Sequence, residues 1–229
     1  MKRLMPLLAL AVCATTTVAA PAPTSNLLVN GSFESTTVAN GSWVNVSTTP
    51  GWIWLDGPGT GFEVRNNVVG QAQDGQNFIE LDTTGNTLIG QYLNDLAAGA
   101  RFDLNFWYSP REFQAASTNG LQVFWNGVQL GDTLTHLGGS GNDWSLHRYT
   151  VTAQAGRNLL SFASVGTSDS LGGNLDNVSL RASVPEPGSL ALCLVALGGM
   201  LLAPGALRRR AQQRRAVALA STLHGAPRR

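Results

Sequence analysis

The sequence predicts an all-β protein, a two-sheet sandwich of the jelly-roll type, between two terminal segments of foreign composition. Three observations carry this reading. Short apolar or alternating runs recur from Asn26 to Ala182, separated by Gly, Asn, Asp, Ser and Thr, and none has the 3.6-residue period of a helix. One stretch alternates without a break, with Phe102, Leu104, Phe106 and Tyr108 on one face and Asp103, Asn105 and Trp107 on the other, as in a strand with one face in a core. Asn126-Gly127, between LQVFW and VQL, is the pair that accepts the positive φ angles of a type I′ hairpin.

Taken along the chain, the candidate strands are 27–29, 43–46, 61–64, 77–81, 87–93, 101–108, 121–125, 128–130, 144–152, 158–165 and 175–180. Each is short and bounded by turn formers, which suits a sandwich and not a helical bundle. From Asn26 to Val184 there are six arginines, no lysine and thirteen carboxylates, a net of −7 hidden beneath a whole-chain charge of +1. Such a domain lacks the basic stripe that holds a phosphate backbone, so nucleic acid is not an expected partner.

The ends read differently. Met1-Lys2-Arg3, the apolar run 4–12 and the small residues Thr17 to Ala20 have the three-part layout of a secretory signal, expected over 1–19 with cleavage within 19–22. The apolar run is shorter than the roughly 20 residues that cross a bilayer. Both cysteines, Cys13 and Cys193, fall outside the middle, which therefore has no disulfide in a compartment that permits one. At the other end, Val184-Pro185-Glu186-Pro187 precedes an uncharged run over 190–207, then Arg208, Arg209 and Arg210. A membrane helix is expected over about 189–207, its arginine end cytoplasmic and the preceding domain in the periplasm, with a basic tail over 211–229.

The C-terminal motif, apolar helix and arginine cluster over 183–210 resemble a PEP-CTERM sorting signal. That resemblance implies Sec export, transient anchoring in the inner membrane and processing by an exosortase, leaving the product at the cell surface or outside a Gram-negative cell that makes extracellular polysaccharide. The tail over 211–229 departs from the pattern, because such signals end soon after their basic run. The middle, through NLLVNGSFE, DGQNFIELD, YSPRE, NGLQVFWNGVQL and DSLGGNLDNVSL, resembles the galactose-binding-like jelly rolls of secreted bacterial proteins and carbohydrate-binding modules. This implies a non-catalytic domain over 26–182 that associates with extracellular polysaccharide or a biofilm matrix.

Candidate site residues follow. Glu34 and Asp176 lie at positions that in the resembled fold often bind a structural Ca2+, which takes six to eight oxygen ligands; the alternative is a pair of solvated strand-end acids. All six tryptophans lie in the middle, and flat aromatic faces suit pyranose rings, which points to Trp52, Trp54 and Trp107; the alternative is a place in the core. Arg111, in the loop after a long strand, could fork onto a ligand carboxylate or onto the domain's own acids. No catalytic constellation is assembled: Asp56, Asp74, Glu80 and Asp82 give no readable glycosidase separation, and His136 and His147 do not have the spacing of a zinc helix. A purely structural or adhesive matrix protein, and behind it a glycan hydrolase, are the alternatives.

Overall fold

In a computed structural model, residues 25–183 are described; the predicted signal over 1–19, the Val184–Pro187 motif, the apolar run and the arginines beyond it lie outside them. The described residues form twelve strands and no helix. These are β1 (Ser42–Val46), β2 (Thr48–Thr49), β3 (Trp52–Asp56), β4 (Phe62–Asn66), β5 (Asn77–Glu80), β6 (Leu88–Leu93), β7 (Arg101–Ser109), β8 (Gly120–Trp125), β9 (Val128–Gln129), β10 (Ser145–Thr152), β11 (Asn158–Val165) and β12 (Asn174–Ala182). They build two antiparallel six-stranded sheets, the first ordered β1-β4-β5-β12-β7-β10 and the second β2-β3-β6-β11-β8-β9. The fold is an all-β jelly-roll sandwich.

The alternation in β7 does what the sequence requires of it. Phe102, Leu104, Phe106 and Tyr108 are buried, while Asp103 is exposed and Asn105 and Trp107 are half-buried. Phe106 meets Phe162 of the second sheet edge-on at 5.0 Å, and Trp52 bridges Phe162 and Phe33 at 6.0 and 5.5 Å. These rings fill the space between the sheets in tilted and edge contacts, the geometries favoured by the aromatic quadrupole. Asn126 and Gly127 both have positive φ, 52° and 78°, so the β8–β9 hairpin closes with the predicted turn.

Two strand expectations are corrected. Residues 27–29 are not a strand, although they run beside β12. The Asn26 side chain takes over the ladder there: its Oδ1 accepts from the N–H groups of Leu28 and Leu180, and its Nδ2 donates to the Val178 carbonyl. Gly31 allows the close approach, since a Cβ there would stand 2.0 Å from the Val178 oxygen. The other correction is β3 and its small partner β2, absent from the predicted set. Trp-Ile-Trp-Leu has no polar alternation, because β3 is apolar on both faces.

Replacing Asn26 with alanine strands three backbone groups of the first segment and β12 at once. The expected outcome of Asn26→Ala is a loss of about 1–3 kcal/mol, the range for unpaired backbone groups removed from water. Urea unfolding would read it as a lower midpoint at unchanged slope; an unchanged midpoint would mean that water replaces the amide without loss.

Candidate functional site

The outer face of the first sheet is not the solvated surface that an acidic β domain would be expected to present. Cross-strand register lines up Glu63 with Glu80, Glu80 with Asn174, and Asn174 with Ser109, and all four are buried. Pleating turns Phe62 and Val64 of β4 into the core and Glu63 and Arg65 outward. Arg65 donates through Nε and Nη2 to Glu63 Oε2 at 2.9 and 2.6 Å, and through Nη2 to Glu80 Oε2 at 3.0 Å. Burial pushes the Glu80 carboxyl up to about 8, the Arg65 guanidinium opposing it.

Loops roof this polar layer, and two carboxylates hold one of them. At a bulge in β12 where Asn177 takes φ 46°, Asp176 Oδ2 accepts from the N–H groups of Gln73 and Asp74 at 2.7 and 2.9 Å, and Oδ1 from that of Asn177. Glu34 Oε1 accepts from the N–H groups of Gln76 and Asn77 at 2.9 and 2.7 Å. The acids singled out for calcium are thus brought to the same loop, as clasps on its backbone. Their partners are amide donors, which would face a cation with hydrogens; among the described residues no group of three or more His, Cys, Asp and Glu is placed to hold a metal ion. This donor set does not fit Ca2+. Burial raises Asp176 to about 7 against the three amides that favour its anion.

A second loop is pinned by Asn119. Its Oδ1 accepts from the Arg111 N–H at 2.8 Å, its Nδ2 donates to the carbonyls of Gln114, Ala115 and His136, and its own carbonyl accepts from the Tyr108 hydroxyl at 2.7 Å. Arg111 is thereby held above Glu80, with Nη1 at 3.8 Å from Glu80 Oε2.

Between these loops and residues 140–144 lies a cavity of about 440 Å3 lined by Gln71, Glu112, Ser140, Asn142 and Trp144 and by small backbone-exposing residues. The Trp144 indole stands edge-on to Phe78 at 5.9 Å and donates to the Gln71 carbonyl, which also accepts from Asn142 Nδ2. Gly70, at φ 118°, lets the Asn142 amide sit where its Cβ would be. One fixed aromatic ring amid amide, carboxylate and hydroxyl groups is an arrangement that orders a polyhydroxylated ligand.

A second concavity of about 470 Å3 lies on the outer face of the second sheet, lined by Leu88, Phe124, Leu159 and Ala163 with Asp56 and Asn86. It is mainly apolar. The aromatic side chain that projects beside it from β6, Tyr92, has its ring covered by the Arg157 guanidinium at 4.1 Å.

The predicted aromatic residues are dispersed. Trp52 is fully buried, its Nε1 donating to the Asn30 carbonyl, so it belongs to the core and not to a ligand site. Trp54 shares its alternation but lies where β3 bulges, and is 41% exposed. Trp107 is half-buried on the opposite sheet, facing Asp176 in register. None of the predicted ligand residues lines the loop cavity; Arg111 is the chain neighbour of Glu112, which does. Trp144 and Gln71 were missed; the signal was a tryptophan directly after the polar turn GGSGND. For the hydrolase alternative, Glu80 and Asp82 are fully buried, Asp74 accepts the Ser32 hydroxyl, and Asp56 lies on the other sheet.

No family model matches the chain. It is 30% identical over 157 residues to a multifunctional-autoprocessing repeats-in-toxin protein of Vibrio vulnificus, a match covering 69% of this chain and 3% of that protein. It is also 30% identical over 167 residues to halomucin of Haloquadratum walsbyi, covering 69% of this chain and 2% of that protein. The chain therefore spans only 2–3% of the length of these relatives. Similar solved structures include the CBM22-1 xylan-binding domain of Paenibacillus barcinonensis, at 17% identity, 73% of this chain, 100% of that chain and a TM-score of 0.42. A family 35 carbohydrate-binding module from Clostridium thermocellum matches at 13% identity, 62% of this chain, 99% of that chain and a TM-score of 0.41.

Two outcomes are expected of these acids. Calcium chelation leaves the thermal midpoint unchanged, whereas a rise of several degrees on adding millimolar Ca2+ would reverse the assignment of Glu34 and Asp176 as amide clasps. Stability also falls as pH rises from 6.5 to 8. In the unfolded chain carboxylates titrate near 4, so in this window only the folded state still holds protons, on Asp176 and Glu80, and gives them up as pH climbs. His147, lowered by burial, works the other way, because the unfolded chain still holds protons on histidine near 6.5, and its contribution fades as pH climbs above that value. Thermal melts should show the decline, and Glu80→Gln should shrink it; a flat or rising profile would contradict the raised carboxyls.

Proposed function

We propose that this chain is an exported protein whose β domain binds extracellular polysaccharide without transforming it, through the cavity roofed by the loops of the first sheet. The observation that carries the reading is the lining of that cavity: one indole fixed by Phe78 and the Gln71 carbonyl, ringed by Gln71, Asn142, Ser140 and Glu112. A pyranose offers an apolar C–H face to the ring and hydroxyls to the amides and the carboxylate. The buried acids next to the cavity are committed to Arg65 and to backbone amides, which favours retention of a glycan over its hydrolysis.

Export and sorting complete the proposal. The N-terminal signal pattern, the Val184-Pro185-Glu186-Pro187 motif and the apolar run ending at Arg208 support Sec export, transient inner-membrane anchoring and exosortase processing. The product would then work in the extracellular matrix. A second reading, adhesion by contact with another macromolecule, is favoured by the apolar groove over Leu88, Phe124 and Leu159.

Affinity electrophoresis against the host's own exopolysaccharide, followed by calorimetry, tests the first reading. Wild type should be retarded and Trp144→Ala should weaken binding by roughly ten-fold or more, as expected for loss of one stacking ring worth about 1–3 kcal/mol. Retardation unchanged in Trp144→Ala but lost in Phe124→Ser would move the site to the second sheet; no retardation of a folded sample, with cell aggregation lost on gene deletion, would favour adhesion.

A further inference from the structure

Glu112 is the one ionisable side chain in the lining of the loop cavity, and the fold leaves it unused. Among the described residues its carboxylate takes part in no hydrogen bond and no ion pair. The guanidinium of Arg111, its chain neighbour, is turned to Glu80 instead, and the pull of Glu112 on it is weaker than those of Glu80 and Glu63. By contrast, Glu63, Glu80 and Asp176 are committed to Arg65 and to backbone amides. The turn that carries Glu112 is nevertheless held on both sides. The Arg111 N–H donates to Asn119 Oδ1, the Phe113 N–H to the Gly139 carbonyl at 2.9 Å and the Gly138 N–H to the Gln114 carbonyl at 2.8 Å. Phe113 takes φ 59° although it is 72% exposed, and Val69, beside Gly70 of the lining, takes φ 56°. Left-handed backbone is unfavourable for aromatic and β-branched residues and persists where the surrounding structure imposes it, commonly around ligand sites.

The lining thus holds one negative group, no positive group and one indole, with amide, hydroxyl and backbone groups between them. A carboxylate attracts an ammonium by charge, and the π face of a tryptophan attracts it through the ring quadrupole. The amide of Gln71 and the hydroxyl of Ser140 suit the hydroxyls of a sugar. We infer that the cavity selects sugars with a free amino group, setting the ammonium of a hexosamine residue against Glu112 and its ring against Trp144. An N-acetylated residue brings no charge to Glu112, and an acidic one sets its own carboxylate against it. The preferred polymer is therefore a polyhexosamine that is at least partly deacetylated. Such a chain is a polycation, and the net charge of −7 between Asn26 and Val184 draws it towards the domain.

This inference rests on the glycan-binding reading, and the test separates the two. The full-length protein is titrated at about pH 6, where an amine carries its proton, with the Trp144 indole N–H followed by NMR. The ligands are D-glucosamine and D-galactosamine, their N-acetyl forms, and D-glucose and D-galactose. Wild type should bind at least one hexosamine about five-fold or more tightly than its N-acetyl and neutral counterparts, with the preference shrinking as salt is raised. Glu112→Gln, which keeps the shape without the charge, should bring the ratio to about one, and Glu112→Asp should leave it in between. Equal affinity for amino, N-acetyl and neutral sugars would overturn the inference while leaving glycan binding intact, as would a hexosamine preference that survives in a folded Glu112→Gln. Methylammonium, the charge without the ring, should bind far more weakly than the hexosamine; equal binding would make this a site for any ammonium and overturn the sugar assignment. Binding of none of the sugars by a folded sample would remove both readings.

Discussion

The outer half of the first sheet is organised around the burial of one positive charge. A guanidinium taken out of water loses several kcal/mol of hydration unless acids and hydrogen bonds replace it. Arg65 is 3% exposed at its side chain and finds that replacement in Glu63 and Glu80, which strand register places beside it. Once those three are committed to each other, the sheet cannot leave this face bare, and loops must cover it. The clasps at Glu34 and Asp176 follow from that requirement: they tie the β4–β5 loop to the two ends of the domain, where a disulfide or metal would otherwise serve.

Covering the charge also makes the cavity. The β4–β5 loop that roofs Arg65 supplies Gly70 and Gln71, and the loop that carries Arg111 supplies Glu112. Each is held by side-chain bonds to backbone, from Asp176 and Glu34 in the first case and from Asn119 in the second. A site built on such loops loses little conformational freedom when a ligand arrives, which leaves more of the contact energy as affinity. Stability and recognition are therefore coupled here, because loosening a clasp both exposes the buried acids and disorders the lining.

How much of this the sequence discloses depends on whether a residue's role is set by local pattern or by register. The alternation over Phe102 to Tyr108 and the Asn126-Gly127 turn are local, and both are found in the structure as read. Residues 27–29 looked like a strand, and Asn26 replaces the ladder with a side chain 152 to 154 residues away in sequence from its partners on β12. β3 was lost because an apolar strand on both faces shows no period of two. The site suffered most. Glu34 and Asp176 were legible as a pair, but not that their partners are amides; the importance of Trp144 depends on Phe78, sixty-six residues earlier in the chain, and no local pattern connects them. Trp52 and Trp54 have the same spacing as any alternating pair, yet one is fully buried and the other, at the edge of the bulge in β3, is 41% exposed.

Net charge misleads at two scales for one reason. The whole-chain value of +1 conceals a middle domain of −7, and the value of −7 conceals a buried cluster in which Arg65 and Arg111 stand against Glu63 and Glu80. At physiological salt the screening length is about 8 Å, so most of the thirteen carboxylates are invisible to a group seated in the cavity, while a charge 4 Å away in a medium of effective dielectric about 20 is worth roughly 4 kcal/mol before desolvation. A single charged group on a ligand is therefore governed by its immediate neighbours, Glu112 among them, and not by the domain's total. An extended polyanion is not, because it must lie along many surface positions at once; nucleic acid needs several phosphate contacts, and a domain with six arginines, no lysine and thirteen carboxylates offers no basic stripe to supply them. The same distribution that disfavours a phosphate backbone thus leaves the cavity's response to a single ligand charge to be set by the few groups around it.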